Sequence, residues 1–142
     1  MDIISWGCHI RFSCAHFYRL DHWSEQRNRS EFGLCYSKAG HGHGHDYDLE
    51  IELELRSNSD QDLSYLQSQA LEKLSQLREL LDHRHLNLDF DFFKSKLPTT
   101  ENLALFCWDQ LKVLPLRRLR LFEREDLWVD LHEMPTGPKN NP

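Results

Sequence analysis

The sequence has no apolar run long enough to span a membrane and no excess of basic residues. Its 17 Lys and Arg residues are outnumbered by 23 Asp and Glu residues, which gives a net charge of −6. The first absence excludes a membrane-spanning helix, and the second argues against a nucleic-acid-binding protein. The first residues also lack the basic start and apolar core of a signal peptide. We therefore expect a cytoplasmic protein that binds neither membranes nor nucleic acid.

Cysteine is scarce, with four residues in the sequence. Cys8 and Cys14 fall on an apolar strand row and Cys107 on an apolar helix face, so we expect buried thiols rather than disulfides. Cys35 differs because it lies in a polar connection. The length predicts one domain, residues 1–132, and the Pro-, Gly- and Asn-containing residues 133–142 predict a disordered tail.

Histidines concentrate at the start of a predicted strand. In residues 47–55 the odd positions are apolar and the even positions acidic, which is typical of a strand with one buried face. His43 and His45 extend the odd row backwards, so both imidazoles are expected on the buried side, about 7 Å apart along the strand. Side chains at this spacing can bind one metal ion.

A third histidine ends the apolar row of an earlier strand, predicted at residues 3–13. The even row of that strand continues to His16. If the two strands pair antiparallel, His16 lies next to His43 and His45 on one face. Three imidazoles with a fourth position open are typical of a catalytic zinc site. His41 shares the odd row and stays open as an alternative ligand.

Between these strands, residues 17–42 form a long connection with basic side chains. They are Arg19, His22, Arg27, Arg29 and Lys38. Connections of this length within a small domain are usually functional or mobile. A solvated loop and a phosphate-binding patch are both open interpretations.

Two amphipathic helices and a hairpin follow. The turn at 57–60 precedes a helix with the apolar row Leu63, Leu66, Ala70, Leu74, Leu77 and Leu81. The second helix begins after Pro98, with Thr99 or Thr100 as its N-cap. In the hairpin, Glu123 ends an apolar row, where a carboxylate is costly unless it is paired.

Six segments in order along the sequence resemble the 6-pyruvoyltetrahydropterin and 6-carboxytetrahydropterin synthase family. They are Phe12-Ser13-Cys14-Ala15-His16, Phe32-Gly33-Leu34-Cys35, His43-Gly44-His45-Asp46-Tyr47, Leu81-Asp82-His83-Arg84-His85-Leu86-Asn87, Pro98-Thr99-Thr100-Glu101-Asn102 and Glu123. Each is weak alone, but their order on a consistent layout of strands and helices makes the resemblance specific.

The resemblance implies an α+β tunnelling fold (T-fold) of ββααββ order. In this fold an antiparallel four-stranded sheet carries two helices on one face, and the subunits assemble through a β-barrel into a trimer or hexamer. Assembly would also protect the sheet edges of a short protein. The family's active sites lie between subunits.

By position, the resemblance identifies His16, His43 and His45 as ligands of Zn²⁺. Cys35 corresponds to the catalytic thiol, a base whose pKa would be lowered by cationic surroundings.

Asp82 and His83 correspond to the proton relay of that thiol, although a helix C-terminus also favours a histidine. Glu123 corresponds to the carboxylate that binds the pterin ring. Glu101 is either a second contact at the same ring edge or a favourable charge at a helix N-terminus.

Three departures from the family pattern bear on these assignments. The residues His41 and Gly42 are additional. The segment 57–63 replaces the usual Gly-Met and Asp-Phe residues. Arg124 stands where a threonine is usual, next to the pterin carboxylate.

The resemblance implies a zinc-dependent lyase that acts on 7,8-dihydroneopterin triphosphate. We expect the 6-carboxytetrahydropterin branch, with loss of triphosphate and acetaldehyde on the route to 7-deazaguanine compounds. The 6-pyruvoyltetrahydropterin branch is the alternative. An aldolase-like relative is disfavoured by Cys35, and a non-catalytic pterin- or zinc-binding oligomer is the hypothesis from another class.

Overall fold

Two long paired strands form the centre of the molecule. The computed structural model describes residues 3–56 and 60–133, with only the backbone of Gln61. Strands β1 (Ile3–His16) and β2 (His43–Arg56) pair antiparallel over their whole length. The alternation of apolar and polar residues predicts the two strands, because it gives each strand one face to bury. Their antiparallel pairing is the condition on which the predicted cluster of His16, His43 and His45 depends.

The sheet has five strands, in the order β3-β1-β2-β4-β5. Strands β4 (Leu116–Arg124) and β5 (Leu127–His132) form the expected hairpin. The fifth strand, β3 (Arg84–His85), runs parallel to the end of β1. The sheet is therefore mixed, not the antiparallel four-stranded sheet expected from the resemblance. A strand of two residues is too short to leave a periodic pattern in the sequence.

The two predicted helices cover the apolar face of the sheet. They are α2 (Asp60–Leu81) and α4 (Thr100–Leu111). Their apolar rows join the residues of β1, β2 and β4 in one buried cluster, which confirms the helical periodicity. A short helix, α3 (Leu86–Asp89), and a 3₁₀ turn, Asp91–Lys94, connect them.

The connection between β1 and β2 contains a helix that the loop prediction missed. Helix α1 (Glu25–Phe32) buries a single side chain, that of Asn28, so no apolar period marks it. It is stabilised by the Ser24 side chain, which accepts from the Arg27 backbone N–H at 3.1 Å. A 3₁₀ turn, Gly33–Cys35, follows it directly and positions the thiol.

The structure says little about two of the sequence predictions, the disordered C-terminal tail and the turn before α2. Apart from Glu133, the predicted tail 133–142 lies outside the described residues, as do residues 57–59 of the predicted turn. The backbone N–H of Glu133 donates to the Arg117 carbonyl at 3.1 Å.

Within residues 3–56 and 60–133, no helix is both long and apolar enough to cross a membrane.

Candidate metal centre and active site

The paired strands bring three imidazoles together at one end of the sheet. His16 lies opposite His43, and His45 is on the same face of β2. The Nε2 atom of His43 lies 3.1 Å from Nε2 of His16 and 3.2 Å from Nε2 of His45. Nitrogens bound to one tetrahedral zinc ion at about 2.0–2.1 Å would be about 3.3 Å apart. Both distances from His43 therefore fit imidazoles that share one metal ion.

The environment keeps His16 uncharged. Its side chain is fully buried, and burial, followed by the neighbouring imidazoles of His45 and His43, lowers the pKa of His16 to about 3. Burial also lowers the pKa of His45, against the opposing effect of Glu123. Neutral imidazole is the form that binds metal ions.

Tyr47 fixes the orientation of the His16 ring. Its hydroxyl lies 3.2 Å from Nδ1 of His16, in the buried interior. A partner on Nδ1 leaves Nε2 directed at the other two imidazoles, and such outer contacts orient metal ligands in proteins. Tyr47 belongs to the sequence motif that resembles the family, but the alternation of apolar and acidic residues predicts only that its side chain is buried.

Cys35 and Glu123 flank the three imidazoles. The Cys35 Sγ lies 3.6 Å from Nε2 of His43, and Oε1 of Glu123 lies 3.4 Å from Nε2 of His45. Burial, followed by the charge of Glu123, raises the pKa of Cys35. This is opposite to the lowered pKa expected from cationic surroundings. A divalent cation among the imidazoles would counter the shift.

Thr100 accounts for the buried position of Glu123. Its hydroxyl donates to Oε2 of Glu123 at 2.6 Å, and both side chains are less than one tenth exposed. Thr99, not Thr100, is the N-cap of α4, since it accepts from the Asn102 backbone N–H at 3.2 Å. The two threonines, which the sequence left interchangeable, thus have separate roles.

Asp82 and His83 lie together, but away from the thiol. Oδ1 of Asp82 accepts from the Ser13 backbone N–H at 2.8 Å, and Oδ2 lies 3.0 Å from Nδ1 of His83. The Ser13 bond, followed by contact with His83, lowers the pKa of Asp82. The side chain of His83 is 85% exposed.

Within the described residues, no hydrogen bond or ion pair joins Asp82 or His83 to Cys35, Glu123 or the imidazoles. His83 borders a cavity of about 400 Å³ whose lining also includes Ser13, Asp46 and His45, one of the three imidazoles, but not Cys35. A single subunit therefore does not bring the predicted relay to the predicted base.

His41 lies outside the imidazole cluster. It is exposed, and its carbonyl accepts a hydrogen bond from Nε2 of His85 at 2.8 Å.

Glu101 is exposed in the first turn of α4. The pKa of Tyr18 is raised, mainly by burial and then by the negative charges of Glu123, Cys35 and Glu101. Glu101 is thus near the same part of the molecule.

Sequence reasoning missed Tyr18. Its ring centroid lies 4.8 Å from that of His16, and its backbone N–H donates to the Cys35 carbonyl at 2.7 Å. The signal was present, because Tyr18 continues the even row of β1 beyond His16.

Three of the basic side chains in the connection form ion pairs, two of them with the same carboxylate, that of Glu25. The ion pairs are Arg19–Asp21 at 2.8 Å, Arg29–Glu25 at 2.7 Å and Lys38–Glu25 at 3.2 Å. Arg27 makes no ion pair with a described residue, and its guanidinium stacks 3.7 Å from the centre of the Trp23 ring. The solvated interpretation fits the three paired cations better than a phosphate-binding patch does.

Comparison with known proteins places this protein in a family. The family model described as 6-pyruvoyl tetrahydropterin synthase matches residues 7–134. The chain belongs to this enzyme family. The predicted resemblance is therefore confirmed.

Relatives from animals carry the corresponding name. The human 6-pyruvoyl tetrahydrobiopterin synthase is 31% identical over 123 residues, which cover 82% of this chain and 83% of the human protein. The Drosophila melanogaster protein of the same name is 34% identical over 126 residues, covering 87% and 70%.

Solved structures agree with the α+β fold. The Caenorhabditis elegans 6-pyruvoyl tetrahydropterin synthase has a TM-score of 0.78 and 26% identity, covering 94% of this protein and 98% of the other. The Wolinella succinogenes protein WS1659, with a TM-score of 0.59 and 14% identity, covers 94% of this protein and 100% of its own length; it supports the fold alone.

Proposed function

We propose that this protein is a zinc-dependent lyase that converts 7,8-dihydroneopterin triphosphate to 6-pyruvoyltetrahydropterin and triphosphate. The reaction breaks a C–O bond in the side chain of the substrate, and oxidation of that side chain balances reduction of the dihydropterin ring. The observation that carries the proposal is a thiol 3.6 Å from an imidazole of a three-histidine cluster. The animal relatives are named for the pyruvoyl product, and this favours it over the carboxy product that we expected from the sequence.

His16, His43 and His45 would hold the zinc ion, with Tyr47 orienting His16. When bound, zinc supplies Lewis-acid polarisation of the substrate's side-chain oxygens, which makes the neighbouring C–H bonds more acidic. The neutral state of His16 supports this assignment, because a ligand must not carry a proton on the binding nitrogen.

Cys35 would remove a proton from the substrate side chain through its Sγ atom. Glu123, held by Thr100, would accept N–H bonds from the aminopyrimidine edge of the pterin. Glu101 is proposed as a second contact at this edge.

Asp82 orients His83 for proton transfer. Because the pair is remote from Cys35 within one subunit, we propose that it serves the thiol of a neighbouring copy in a trimer or hexamer. The exposed ring of His83, 85% accessible, supports this arrangement.

The test is the mass of the product after zinc-loaded protein is incubated with 7,8-dihydroneopterin triphosphate. We expect the pyruvoyl product from the wild type, and no turnover but retained zinc from Cys35→Ala. Asp21→Asn, in the outer connection, is the control. A carboxy product with acetaldehyde would assign the other branch, whereas unchanged substrate despite bound zinc would leave the non-catalytic binding oligomer.

A further inference from the structure

One short segment, residues 84–87, holds both strand ends that carry the imidazole cluster. Its backbone pairs with the end of β1, where Ala15 lies opposite His85. The side-chain amide of Asn87 then binds both backbone groups of Phe17: its Oδ1 accepts from the N–H, and its Nδ2 donates to the carbonyl, each at 2.9 Å. The residue that follows His16 is thereby fixed.

His85 extends this attachment to the start of β2. Its Nε2 lies 2.8 Å from the carbonyl oxygen of His41, and since a carbonyl only accepts, the ring must donate from Nε2. Its Nδ1 is buried with no partner in the described structure.

Gly42 connects His41, the residue that His85 contacts, to His43 at the start of β2. It has φ of +73°, and it packs so closely that an added Cβ would lie 1.9 Å from the carbonyl oxygen of His16. The turn therefore has no freedom to move toward β1. The hydrogen bond from His85 opposes movement of the same turn away from it.

We propose that His85 is a positioning residue for the metal centre. By holding the carbonyl of His41, it fixes the point at which β2 begins and hence the 3.1 Å spacing between Nε2 of His43 and Nε2 of His16. It also gives a role to the additional residues His41 and Gly42, which form the attached turn. The inference rests on the proposed function, because it requires that the cluster bind zinc.

The test compares zinc affinity, by competition with a chromophoric chelator, and the visible spectrum of the Co²⁺-loaded protein. His85→Leu removes the donor, and His85→Gln keeps an amide N–H at similar reach. We expect His85→Leu to weaken zinc binding about 10-fold, the lower end of the range for outer contacts of metal ligands, and to change the Co²⁺ spectrum. His85→Gln should restore both. His9→Leu removes an exposed imidazole and should match the wild type.

A second pair keeps the inference testable if His85→Leu does not fold. His85→Asn is polar but shorter than His85→Gln by one methylene, so its amide does not reach the His41 carbonyl. Weak zinc binding by His85→Asn and tight zinc binding by His85→Gln is the expected result. Equal affinities and spectra across these variants and the wild type would overturn the positioning role. A wild type that binds neither Zn²⁺ nor Co²⁺ would instead overturn the proposed metal centre.

Discussion

At the scale of single residues, Glu123 is the carboxylate whose setting is most unusual. It is only 8% exposed and is held by Thr100 on one side and His45 on the other. Thr100→Val removes the hydroxyl donor and leaves a carboxylate oxygen with one partner fewer. We expect the free energy of unfolding, measured in urea, to fall by about 1–3 kcal/mol, and the KM for the pterin substrate to rise.

Thr99→Ala is the matched control for this prediction. It removes the N-cap of α4 and should cost about 1 kcal/mol of stability, but it leaves the bond from Thr100 to Glu123 intact. A loss of stability in both variants with a higher KM in Thr100→Val alone is the expected pattern. An equal rise in KM in both would show that the effect comes from α4 and not from Glu123.

Asp82 gives a prediction about pH. The Ser13 N–H, followed by His83, lowers its pKa in the folded protein, so the folded state binds the proton more weakly than the unfolded state. Its stabilisation is therefore present above the unfolded pKa of about 3.9 and is lost as pH falls through the lower folded pKa. Asp82→Asn keeps an acceptor for Ser13 but has no charge.

We expect the wild type to have the higher Tm at pH 7, and the difference from Asp82→Asn to narrow below about pH 4. Thermal unfolding followed by circular dichroism across this pH range makes the comparison. A constant difference would show that the charge of Asp82 is not the cause.

At the scale of elements, the turn that leads into β2 and lies beside the end of β1 contains two glycines that differ in how closely they are packed. Gly40 and Gly42 have φ of +76° and +73°, but an added Cβ would be no closer than 3.7 Å to its neighbours at Gly40 and only 1.9 Å from the His16 carbonyl oxygen at Gly42. Gly40→Ala should cost about 1–2 kcal/mol from its left-handed backbone alone. Gly42→Ala should cost more and also reduce zinc content.

Urea unfolding and metal analysis of both variants test this expectation. The physical reason is that backbone atoms, unlike the end of a flexible side group, cannot move aside. Equal losses of stability with unchanged zinc content would show that the close approach of the turn to His16 is not needed for the metal centre.

At the scale of the whole molecule, the separation of Cys35 from Asp82 and His83 predicts that activity requires assembly. Cys35→Ala and His83→Ala should each be inactive alone. If a site takes its thiol from one copy and its relay from a neighbour, random mixing of equal amounts should restore about one quarter of the sites. Activity after subunit exchange, followed alongside oligomer mass, is the measurement. No recovery in verified mixed oligomers would place the relay and thiol in one subunit.

The sequence by itself determined the features that depend on the direction of side chains along an element. In a strand, neighbouring side chains point to opposite faces, so parity placed His16 on the apolar row of β1 and His43 and His45 on that of β2. The same reasoning identified the buried faces of α2 and α4. It also identified Glu123 as a carboxylate at the end of a buried row.

Only the tertiary structure decided the features that depend on what lies opposite a residue. Helix α1 has no apolar stripe and forms through its cap and the polar contacts of Asn28, while β3 exists because β1 ends beside it.

The same distinction applies to the charges of the site. The pKa of Cys35 is raised by burial and by the charge of Glu123, which is 88 positions away in the sequence. The choice of Thr100 rather than Thr99 as the partner of Glu123 likewise depends on how α4 packs on β4. Periodicity fixes a side chain's direction relative to its own backbone, whereas its neighbours and electrostatics are fixed when distant segments pack together.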